Sequence, residues 1–122
     1  MRRLLVMAIV LIPMTVRAEY LDVIAGKLKE KCSLEKYVTL KNDFNAQWGR
    51  SHGYQAEIAS VVQSNDLVTV YWLGRTANAE AFGRAWDAWR TEISDSKSVA
   101  AKLNERFEKC VDNTGRRGFD LL

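Results

Sequence analysis

Residues 54–73, YQAEIASVVQSNDLVTVYWL, decide the fold. Two runs rich in Val, Ile, Tyr and Trp, over 54–62 and 67–73, flank the turn formers Ser64, Asn65 and Asp66, the pattern of a β-hairpin. Helical periodicity lies on both sides. Upstream, Ser33 reads as an N-cap with Glu35 in the first turn, and Leu34, Tyr37, Val38, Leu40, Phe44 and Trp48 fall on one face of a helix ended by Gly49. Downstream, Asn78 reads as a cap, and Phe82, Ala85, Trp86, Trp89 and Ile93 recur at the spacing of an amphipathic helix.

The outer segments complete the order. Residues 20–29 have the β-branched content and partial alternation of a first strand. After the polar run 94–98, Val99, Leu103, Phe107 and Cys110 form a further helical stripe. Gly115 is expected to cap that helix in the left-handed region, and 118–122 to form a short last strand. The sequence β-α-β-β-α-(α)-β predicts an α+β, ferredoxin-like domain: a four-stranded antiparallel sheet with helices on one face.

Cys32 and Cys110 are the only cysteines of the 122 residues. An even count in a chain marked for export predicts a disulfide between them, and the topology agrees, since the first helix starts and the last helix ends at the same end of the sheet. No C-x-x-C is present, and two distant cysteines with one histidine do not supply zinc spacing. No metal or cofactor site is expected.

The N-terminus carries its own pattern. Arg2 and Arg3 precede an uncharged, largely apolar run over 4–16, and Val16-Arg17-Ala18 offers a small-residue cleavage site. Residues 1–18 therefore read as an export signal cleaved after Ala18, leaving 19–122 as one domain in the periplasm or outside the cell. The run is short of the roughly 20 residues of a membrane-spanning helix, so no stable membrane anchor is expected after cleavage. The formal charge of +3 belongs to Arg2, Arg3 and Arg17; without them 15 basic residues face 15 acidic ones. With no net charge and no basic stripe, the composition argues against nucleic acid as a partner.

Residues 20–90 resemble the dimeric α/β-barrel superfamily, which includes antibiotic-biosynthesis-monooxygenase-like and stress-responsive barrel domains. The resemblance rests on a first strand running into Gly26-Lys27-Leu28-Lys29, the helix from Leu34, Gly53-Tyr54 entering the second strand, Tyr71-Trp72 ending the third, and Ala81-Phe82 beyond it. It implies two ferredoxin-like protomers with sheets face to face, and a cavity between sheet and helices or inside the barrel. The chain departs from the family in its export signal, its cysteine pair and the extra helix over 99–111. The Asn, Trp and His set of the haem-degrading branch is not recognisable.

Several residues admit a chemical and a structural reading. Glu57, mid-strand, is either an acid or base facing an apolar cavity or a solvated strand residue, and Asp22 in the first strand invites the same pair of readings. His52 is a titratable candidate or a loop histidine. Tyr71, Trp72, Trp86 and Trp89 are a pocket for a flat ligand or ordinary core. Arg75 could orient an anion near Asn78, and Gly115-Arg116-Arg117-Gly118 is a phosphate signal or a turn before a strand. No P-loop, G-x-S-x-G or H-E-x-x-H is present.

Two functions follow as expectations. The first is an exported homodimeric module binding a small apolar ligand or a protein, with no self-evident catalytic site. The second is a cofactor-independent, monooxygenase-like enzyme, in which Glu57, His52, Tyr71 and Trp72 would face one cavity.

Overall fold

The computed structural model describes residues 19–122; the proposed signal, 1–18, lies outside the described residues. Strands β1 (Glu19–Leu28), β2 (Gln55–Ser60), β3 (Val70–Thr76) and β4 (Val111–Leu121) form one sheet in the order β2-β3-β1-β4, with every neighbouring pair antiparallel. Helices α1 (Leu34–Phe44), α2 (Ala79–Glu92) and α3 (Val99–Cys110) cover one face. This is the ferredoxin-like arrangement that the element order predicts. Among the described residues no helix is long and apolar enough to cross a membrane.

Register fixes the two faces, because side chains alternate along a strand and directly paired residues share a side. Tyr20, Asp22, Ile24 and Gly26 of β1 stand opposite Thr76, Gly74, Trp72 and Val70 of β3 and face the helices. Leu21, Val23 and Ala25, with Arg75, Leu73 and Tyr71, face away.

Under the helices Phe44 is an aromatic hub. Its ring centroid lies 5.0 Å from Trp72, 5.5 Å from Trp48, 5.6 Å from Tyr54 and Trp89, and 6.0 Å from Phe107. Four of the five contacts are edge-on, the geometry that sets a ring's positive rim against its neighbour's negative face, each worth about 0.5–1.5 kcal/mol beyond area burial. Capping follows the sequence: the Ser33, Asn78 and Ser98 side chains accept from the backbone N–H groups of Lys36, Ala81 and Ala101. Cys32 and Cys110 form a disulfide, with Cα atoms 5.0 Å apart.

Three sequence expectations are corrected. The first helix does not end at Gly49: it continues as a π-helical turn over Asn45–Gly49 and a 3₁₀ turn over Arg50–His52, and stops at Gly53 with φ +66°. The π turn leaves Asn45 free to clamp β2, its side chain bonding both the N–H and the C=O of Ala56 at 2.8 and 2.9 Å. The hairpin turn is wider than expected, because Asp66 ties down its own loop by accepting from the N–H groups of Val68 and Thr69. Leu67 and Val68 therefore stay exposed, and β3 runs from Val70 to Thr76.

The largest correction concerns the last strand. Gly115 caps nothing: β4 starts at Val111, directly after α3, and pairs with β1 from Leu28 to Glu19. The polar, glycine-rich run 112–118 hid this strand. On an edge with mostly exposed side chains no apolar alternation is required, and pairing to the long β1 supplies the order instead.

Candidate functional site

A cavity of about 180 Å³ lies between the sheet and the helices. Its walls are aromatic: Phe44 and Trp48 from α1 and its π extension, Trp72 from β3, Trp86 and Trp89 from α2, and Phe107 from α3. Tyr54, Asn104, Asn113 and Arg116 bring polar groups to the same lining.

Two of those polar groups reach the cavity because β4 is irregular. Arg116 stands opposite Ile24 and Asn113 opposite Gly26, both on the helix side, although they are three residues apart. An unbroken strand would send them to opposite faces; the bulge at Thr114 inserts one residue and brings both inward. Gly26 leaves the space that Val111 uses, since a Cβ there would lie 2.7 Å from Val111 Cγ2, while Asn113 Oδ1 at 3.5 Å would be in ordinary contact.

Beneath Tyr54 and Arg116 sits Asp22, only 1% exposed. Arg116 donates to it from Nε to Oδ1 at 2.9 Å and from Nη2 to Oδ2 at 2.7 Å. The Tyr54 hydroxyl donates to Oδ2 at 2.8 Å and accepts from Trp72 Nε1–H at 2.8 Å. Two glycines make this possible. Gly74 and Gly118 are the residues directly opposite Asp22 on its two neighbouring strands. A Cβ on Gly74 would collide with the Tyr54 phenol, and one on Gly118 with the Tyr20 phenol. Burial, and then the Asp22 charge, push the Tyr54 hydroxyl well above its ordinary value. Burial acts to lower the Arg116 guanidinium, but the Asp22 hydrogen bonds and charge outweigh it and hold the group above its ordinary value. Arg116 also lies over the Trp86 ring, 4.1 Å from its centroid, and 5.6 Å from that of Phe82.

The four residues proposed for catalysis do not share a cavity. Trp72 lines it. Glu57 pairs with Leu73, so it and Tyr71 lie on the sheet face away from the helices, where Glu57 is exposed. His52 stacks on the outer side of Trp48 with centroids 3.9 Å apart, its Nε2 3.6 Å from Glu92, which accepts from Trp48 Nε1–H at 2.8 Å. Ser51 Oγ is 3.1 Å from His52 Nδ1, superficially a nucleophile beside a base. The Trp48 carbonyl, 2.9 Å from that nitrogen, can only accept, so Nδ1 carries the proton and cannot take one from Ser51.

Of the other candidates, Trp86 and Trp89 join Trp72 around the cavity, and Tyr71 does not. Arg75 lies within β3 and pairs with Glu19 at 3.6 Å, away from the start of α2. The Gly115–Gly118 run is strand, not turn, and the Arg116–Asp22 pairing within it was not foreseen. The signal that could have found it is the pair of in-strand glycines flanking a strand aspartate.

No family model matches the chain, and no curated protein matches it. Two solved structures align with most of it. One is a conserved protein of unknown function from Bacteroides thetaiotaomicron, described as a possible oxidoreductase, with a TM-score of 0.55 and 11% identity over 86% of this chain and 99% of that one. The other is a dimeric protein of unknown function with a ferredoxin-like fold from Bacteroides fragilis, with a TM-score of 0.45 and 7% identity over 84% of this chain and 96% of that one. At 11% identity the first likeness is one of fold alone.

Proposed function

We propose that this chain is an exported, disulfide-bonded binding module that takes a small, flat, largely apolar ligand into the aromatic cavity between sheet and helices. The cavity itself carries the reading. Apolar cavities of about 150 Å³ hold a benzene-sized molecule, and this one is slightly larger and walled mainly by rings, with a few polar groups among them. Export is supported by the charged, apolar and small-residue pattern of residues 1–18 and by the Cys32–Cys110 disulfide, which suits an oxidising compartment.

A homodimer belongs to the same reading. The sheet face away from the helices carries Leu21, Val23, Tyr71 and Leu73, and Phe119 of β4 is opposite Leu21 and 45% exposed. A second copy related by a two-fold axis would cover that face with itself.

Titration with toluene, followed by tryptophan fluorescence, tests the cavity. Saturable quenching is expected, and its loss in Ala85→Leu, which fills the cavity from its wall, assigns the site. A linear, unsaturated response in the parent protein would overturn the proposal.

A further inference from the structure

We infer that the cavity selects an uncharged aromatic ring bearing a hydrogen-bond acceptor at its edge and rejects the same ring bearing a carboxylate; this rests on the ligand-binding reading above. Arg116 is the cationic side chain in the cavity wall, and by itself it would invite an anion. Its charge is already matched. Asp22 holds Nε and Nη2 from behind, so the pair is neutral as a unit and Nη1 is the guanidinium nitrogen that Asp22 does not engage.

The orientation of the pair sets the preference. The carboxylate is buried and does not line the cavity, whereas the guanidinium does, so the positive end of a neutral pair points at the ligand. A carbonyl or ether oxygen meets that end with little desolvation. Arg116 keeps 35% of its side chain exposed, so a carboxylate here loses part of its water, to the aromatic walls, and the neutral pair offers no net charge to offset that loss. Trp86, stacked 4.1 Å from Arg116, holds the guanidinium in place and keeps it from swinging toward an anionic guest.

Acetophenone, α-methylstyrene and benzoate test this, since they share one skeleton and differ only in the group beside the ring. Dissociation constants measured at pH 7 by ligand-observed NMR are expected to place acetophenone about tenfold or more below benzoate, a difference of about 1.4 kcal/mol. The ¹³C-labelled carbonyl stretch of bound acetophenone is expected to fall below its position in hexane, reporting the donor directly. Asp22→Asn, which leaves Arg116 uncompensated, should shift the ratio about tenfold toward benzoate. If that variant does not fold, the parent protein decides alone. Benzoate binding as tightly as acetophenone, or an unshifted carbonyl, overturns the inference while α-methylstyrene binding leaves the cavity reading standing. If none of the three binds, the cavity reading itself fails.

Discussion

Arg116 grips both carboxylate oxygens of Asp22 across 94 positions of sequence, joining the edge strand β4 to the central strand β1 under the helices. Removing one partner leaves a charge that the fold has buried. Arg116→Met is expected to cost about 2 kcal/mol, less than for a fully buried pair because Arg116 keeps 35% of its side chain exposed. Asp22→Asn with Arg116→Met should cost less than Arg116→Met alone, because no unpaired charge then remains. Urea denaturation of the single and double variants gives the coupling, and additive losses would show that the pair is not energetically linked.

Gly74→Ala tests the space above Asp22. A methyl group there occupies the position of the Tyr54 phenol, which must move and give up its bonds to Asp22 and Trp72. A loss of about 2–3 kcal/mol is expected from the displaced ring and the broken buried hydrogen bonds. Gly83→Ala, on α2 with open space at its Cβ, is the control and should be neutral or slightly stabilising. Thermal melts of the two variants compare them directly.

The disulfide closes a long loop, with its cysteines 78 positions apart. On the chain-entropy account this is worth about 4.5 kcal/mol, so Cys32→Ala with Cys110→Ala should lower unfolding free energy by about that amount. Neither cysteine lines the cavity, so a folded double variant should still bind toluene. Unaltered stability would mean that the bridge constrains an already restricted unfolded chain.

What the sequence made legible divides along physical lines. Helical aromatic spacing identified Tyr37, Leu40, Phe44 and Trp48 as one buried face, because period 3.6 is forced on any helix that packs. The hairpin followed from its two apolar runs and turn formers, and the cysteine pairing from an even count in an exported chain, with which the topology agreed. Arg116 did not, because its orientation depends on a one-residue bulge with no compositional mark, in a strand ordered by β1 and not by its own side chains. The cavity was half legible: Trp72, Trp86 and Trp89 do converge, but ring spacing on a helix is identical whether the rings meet each other or surround a space.

The sheet face away from the helices supplies the oligomer prediction. Leu73→Arg puts a charge at the centre of the proposed dimer face, yet directly opposite Glu57 in the same protomer, so the fold itself is spared. Light scattering should give the mass of two chains for the parent and of one for the variant. A parent that scatters as one chain at micromolar concentration overturns the dimer.

Alkaline pH should destabilise the protein in part through Tyr37. Burial pushes this hydroxyl from 10.0 up to about 12. Below about pH 10 the phenol is neutral in both states, and its contribution is fully present. Between 10 and 12 the unfolded chain loses the proton and the folded chain keeps it, so the unfolded state is favoured progressively and stability falls with rising pH. The total attributable to a two-unit shift is about 2.7 kcal/mol, reduced by residual solvation to about 2 kcal/mol. Tyr37→Phe removes the titrating group while keeping the ring that packs 6.2 Å from Trp72. Urea midpoints measured from pH 8 to 11.5 should fall less steeply in the variant. Parallel curves would place the alkaline sensitivity elsewhere, with Tyr54, whose loss of a proton beside Asp22 would set two negative charges in one buried network, the next group to replace.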